Sequence, residues 1–127
     1  NMLKIDVHGA EGKILKGSSK ILNNSVKVIL LELHPQHELD RYSNGANKNE
    51  IVKYLIDCDF DVFLISPFRY NKKNADFKTY KKNGKLKYVQ LHIDDYKKIL
   101  FDRNNADIFV LCLKKNISIK NIGCFLK

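Results

Sequence analysis

Residues 2–7, MLKIDV, alternate apolar and polar positions, which predicts a short strand. A glycine follows at once, and residues 10–22, AEGKILKGSSKIL, gather Ile14, Leu15, Ile21 and Leu22 on one helical face. Gly12 and Gly17 weaken that helix, and Gly17 is placed to split it, with Ser18 opening the second piece. After an Asn23-Asn24-Ser25 turn, residues 26–33, VKVILLEL, are nearly all apolar and β-rich, as in a strand buried on both faces. Residues 34–49 read as a polar loop. Residues 49–59 return to helical spacing through Ile51, Val52, Leu55 and Ile56, and 60–66 form a third strand.

Residues 67–92 change character: eight basic residues from Arg69 to Lys87 face one acid, Asp76, and Asn83-Gly84 signals a hairpin. A short helix over 93–101, with Asp94 near its start, leads to a fourth strand at 106–114. The tail has no clear element. The order β-α-β-α-β-(insert)-β predicts an α/β fold, layered on both faces, its sheet mostly parallel with the last strand antiparallel. Leu3, Ile5, Val7, Val28, Leu30, Phe63, Ile65, Phe109, Leu111 and Leu113 are its expected core. The organisation is one domain over 1–127 carrying a lysine-rich hairpin insert at 67–92.

Composition narrows the class. With 127 residues, 44% hydrophobic and 29% charged, the chain suits one soluble domain. No apolar run is long enough to span a bilayer and no signal-peptide pattern opens the chain, so the expected setting is cytoplasmic, without a membrane partner. Cys58, Cys112 and Cys124 form no CxxC pair, which fits reduced thiols better than zinc. The net charge of +9 invites a nucleic-acid reading, in which residues 69–88 with Tyr70, Phe77, Tyr80 and Tyr88 would stack on a single strand. Against it, 20 of the 23 basic residues are lysine, a bias that AT-rich codons alone produce. A solvated hairpin gives the same pattern.

In open α/β sheets, ligands sit beyond the carboxyl ends of the strands. The first strand ends in Asp6, with His8 and Glu11 after it; the second ends in Glu32 and His34, with His37 beyond. Carboxylates and imidazoles in one crevice can act as a general base, a hydroxyl binder or a metal ligand. Each also has a plain structural role. Asp6 can cap the next helix, Glu11 suits a helix N-terminus, and His34-Pro35 can simply begin a loop.

LKIDVHGAEGKILKG followed by VKVILLELHP resembles the C-terminal half of the FkbM-type methyltransferases. That family reads K-I-D-V-E-G-A-E, then an apolar helix, then a buried strand ending near Glu-x-His. Lys4, Ile5, Asp6, Val7, Gly9, Ala10, Glu11, Leu15, Gly17, Glu32 and His34 match; His8 replaces the usual glutamate. The resemblance implies the C-terminal half of a Rossmann-like class I methyltransferase sheet, with spatial strand order first, second, fourth, third. It implies S-adenosylmethionine as methyl donor and a hydroxyl acceptor on a sugar, glycan or secondary metabolite. Asp6 and His34 become candidates for acceptor orientation and proton acceptance, with His8, Glu11 and Glu32 as substrate contacts. The family's cofactor site lies upstream, on a Gly-rich loop that this chain lacks; none of its residues is expected to bind the cofactor or a metal. The expectation is therefore a fragment or C-terminal half of a longer product, inactive alone. Its first strand would be exposed for self-association, and a non-catalytic structural half is the further alternative.

Overall fold

The central strand of the second βα unit shows why this chain makes a sheet. Val28–Leu33 carries apolar side chains toward both faces, and only Glu32 interrupts them. The computed structural model describes residues 1–44, 46–65, 81–83, 86–101, 103 and 105–120, with side chains omitted for 81–83, 86 and 87. Its elements in order are β1 (Met2–Ile5), α1 (Glu11–Gly17), α2 (Ser19–Asn24), β2 (Val28–Leu33), α3 (Gln36–Tyr42) and α4 (Lys48–Asp57). There follow β3 (Phe60–Ile65), β4 (Lys81–Asn83), β5 (Leu86–Leu91), α5 (Tyr96–Phe101) and β6 (Ile108–Lys114).

The six strands lie in the order β1-β2-β6-β3-β5-β4. The last long strand therefore sits between β2 and β3, antiparallel to both, as the resemblance implied. The sheet is not mostly parallel in its pairing: β1–β2 is parallel, and the other four neighbouring pairs are antiparallel. Inserting β6 turns what would be one parallel β2–β3 pair into two antiparallel ones. Asn83 pairs with Leu86, so β4 and β5 form the expected hairpin. The basic residues of 69–80 lie outside the described residues.

The helices share one face. Leu15, Leu22, Leu39, Val52, Leu55 and Leu100 join one buried cluster with Ile29, Leu31, Leu33, Val62, Leu64, Val110 and Cys112. The opposite face holds Val28, Phe63, Leu111 and Leu113, with Ile117 and Ile119 packed on them. The expected three layers are thus two among the described residues, and handedness explains it. The crossovers β1→β2 and β2→β3 advance the same way across the sheet, so right-handed connections put their helices on one face. The β5→β6 crossover runs backward between reversed strands, which returns α5 to that same face. Of the expected core, Ile5, Val28, Phe63, Leu111 and Leu113 are buried. Leu3, Val7, Leu30, Ile65 and Phe109 are only half-buried.

Local chemistry sets the boundaries. The α1/α2 break falls at Ser18 after Gly17, though the Ser18 side chain makes no capping bond. Helix α4 opens with a capping box: the Glu50 amide donates to Asn47 Oδ1 at 2.9 Å, and the Asn47 amide donates to Glu50 Oε2 at 3.3 Å. Helix α3 was not expected. It lies in the stretch read as a polar loop, with Leu39 its one buried residue.

Candidate functional site

Strand register brings the candidate residues together. β1 and β2 are parallel, with Ile5 opposite Leu31, so the next residues, Asp6 and Glu32, share the carboxyl end of the sheet. Two residues beyond Glu32, His34 is buried, with 5% of its surface exposed. Its Nε2 lies 4.0 Å from Asp6 Oδ1, too far for a direct hydrogen bond. Asp6 itself is exposed and also faces Lys4 at 3.6 Å.

Between β1 and α1 the chain turns through two left-handed residues, His8 at φ 50° and Gly9 at φ 101°. Histidine is among the few side chains enriched at positive φ. The kink sets the His8 ring against His34, with centroids 4.6 Å apart and planes tilted by 49°. His8 remains exposed.

Glu11, expected as a substrate contact, lies inside the fold. Its side chain is fully enclosed. Instead Oε1 accepts two hydrogen bonds, from the Gly9 amide at 3.1 Å and from His34 Nδ1 at 2.6 Å. A carboxylate only accepts, so toward an ionised Glu11 it is Nδ1 that donates, and in the neutral imidazole Nε2 is then the nitrogen with the lone pair. Glu11 thereby fixes both the tautomer and the direction of the ring. The other oxygen, Oε2, has no hydrogen-bond partner among the described residues.

Three further residues support the site without a sequence signal. Ser43, just past α3, donates to the Gly9 carbonyl and accepts from the Gly12 amide at 3.2 Å, tying the turn to α3. Lys48 is fully buried at the start of α4; its ammonium donates to the carbonyls of Arg103, at 2.8 Å, and Ala106. Burial pulls the Lys48 pKa down to about 8, against the attraction of Asp107 and Glu11. Asp107 precedes β6, whose Ile108 pairs with Leu33, and this places it beside His34 and Glu32. His37 stays exposed, 4.0 Å from Glu38.

The motif that runs from β1 through this turn into β2 has a match of its own. Residues 1–62 match the methyltransferase FkbM domain. Comparison with curated proteins and with solved structures gives no match. The FkbM match covers Asp6, His8, Glu11, Glu32, His34, Ser43 and Lys48 alike.

Methyltransferases of this kind use S-adenosylmethionine, and the described residues do not fit that group. A cradle needs backbone that a ligand can approach closely. The space beside Gly9 is taken by the Glu38 carbonyl and Tyr42, and that beside Gly12 by Ala46 and Ser43. Gly17 faces open space on the helix. Gly9 and Gly12 serve packing of the chain on itself. A groove lined by Lys27, Asp59, Lys114 and Lys115 lies at the other end of the sheet, where β2 begins. Among the described residues, no helix is long and apolar enough to cross a membrane.

Proposed function

We propose that this chain supplies the acceptor side of an S-adenosylmethionine-dependent O-methyltransferase of FkbM type. It would form the C-terminal half of a class I methyltransferase sheet, with the donor held by residues outside those described. The observation that carries the reading is the buried Glu11–His34 contact at the strand edge, which leaves Nε2 on the side of exposed Asp6.

S-adenosylmethionine supplies the methyl group; the residues here act on the hydroxyl that receives it. A hydroxyl placed between Asp6 and His34 donates its proton to Nε2. Proton removal by a positioned imidazole is worth about 10²–10⁴ in rate. The acceptor's single hydroxyl hydrogen goes to Nε2, so the Asp6 carboxylate, which only accepts, stabilises the imidazolium as it forms. Glu11 is a positioning residue, since it acts only through His34. His8 and Glu32 flank the same edge and would contact the remainder of the acceptor, a sugar or secondary-metabolite alcohol.

The test uses the natural gene product, S-adenosylmethionine labelled in its methyl group, and a panel of sugar and secondary-metabolite alcohols. The expected product carries the label as an alkali-stable methyl ether. Label recovered as an alkali-labile ester or as a methylamine would refute the O-methyl reading.

A further inference from the structure

We propose that Asp6, His8 and His34 form a binding site for a divalent transition-metal cation. Their donor atoms all lie within 4.8 Å of one another. Bonds of about 2.0–2.2 Å from a cation to nitrogen and oxygen bring such donors to roughly 3–4 Å apart. The Asp6–His34 pair, at 4.0 Å, is already at that spacing. His8 and Asp6 are exposed, so small rotations of their side chains close the set and leave coordination positions open to solvent.

The surroundings of His34 point the same way. A metal-ligating histidine characteristically donates its other ring N–H to a carboxylate, which fixes the ring and raises its basicity. His34 does so to Glu11, and the Gly9 amide in turn holds the same Glu11 oxygen. The ligand buried deepest is therefore prepared before any cation arrives. The left-handed backbone at His8 holds a second imidazole against the first.

Two imidazole nitrogens and one carboxylate oxygen select the class of ion. Zinc, cobalt, nickel and ferrous iron suit that donor set, whereas magnesium and calcium favour oxygen alone. A second cluster, Glu32, His34 and Asp107, shares His34 but offers only one nitrogen. The inference does not rest on methyl transfer. Ligation and proton acceptance draw on the same Nε2 lone pair, so a bound cation would displace His34 from its role as base.

The test is titration of the chelator-treated chain with Co²⁺, followed by its visible absorption, and with Zn²⁺ by calorimetry. The expected result is one saturable site per chain, weakened at least tenfold in both Asp6→Asn and His8→Asn. Both residues are exposed, and asparagine tolerates the left-handed backbone at position 8, so these variants keep the fold. His37→Gln, at an exposed histidine outside the set, leaves the affinity unchanged. Absence of saturable binding would overturn the proposal. So would affinity that is unaffected by His8→Asn, or lost in Asp107→Asn instead.

Discussion

Replacing Gly9 with alanine tests the link between the β1–α1 turn and the rest of the site. At φ 101° an L-residue is strained, at a cost of about 1–3 kcal/mol. The added Cβ would also lie 2.5 Å from the Glu38 carbonyl oxygen and 2.7 Å from its carbon. Those are backbone atoms of α3, so relief requires the helix to move. Overpacking of that sort costs about 1–3 kcal/mol more. The sum, about 2–6 kcal/mol, is a large part of the ~5–15 kcal/mol that holds a domain folded. In urea, where stability falls by about 1–3 kcal/mol per molar, the midpoint should drop by roughly 2 M. Gly17→Ala is the control. Nothing lies within 4 Å of its Cβ position, and a helical alanine is worth about 0.5–1 kcal/mol over glycine. Its midpoint should hold or rise. If Gly9→Ala unfolds at the same urea concentration as Gly17→Ala, the account of this turn is wrong.

Other outcomes follow from the same geometry. Lys48 titrates near 8 in the folded chain against an ordinary 10.5, so between those values the unfolded chain binds more protons. Stability should therefore climb from pH 8 to 9 in urea melts, and Lys48→Met should flatten the climb. Above pH 9 burial keeps the Cys112 thiol protonated while its unfolded counterpart ionises, which opposes the rise; Cys112→Ala should extend it. Among the described strands β1 pairs only with β2 and leaves one edge open, with Met2 half exposed. Sedimentation should accordingly show concentration-dependent association of the 127-residue chain, and a monomer at all concentrations would refute this. Calorimetric titration of the chain with S-adenosylmethionine should give no binding heat, and micromolar affinity, about −8 kcal/mol, would mean a cradle exists elsewhere in it.

What could be read from the sequence was what local pattern encodes. β1, β2, α4, β3 and β6 each carry a periodic or near-continuous apolar signal, and Asn83-Gly84 marks the hairpin. Asp6, Glu32 and His34 could be grouped because two parallel strands end on the same side. Helix α3 could not, since one leucine among charged residues has no period; it is held by its fit against Gly9 and by Ser43. Nor could the covered face be assigned, because β2 is apolar on both sides and only the crossovers decide. Glu11 shows the limit most clearly. A glutamate in a first helical turn reads as a helix N-terminal charge or a substrate contact, whereas its buried bond is to His34, 23 residues away. Lys48 and Asp107 likewise gain meaning only when α4 and β6 close around β2.

The central claim is that Glu11 holds His34 with a bare Nε2 facing the acceptor edge. Nitrogen-15 NMR of the imidazoles in the metal-free folded chain measures this directly. The account predicts that neutral His34 carries its hydrogen on Nδ1, in a bond to Glu11, with Nε2 unprotonated. A His34 ring with its hydrogen on Nε2, or one exchanging freely between tautomers, would contradict it.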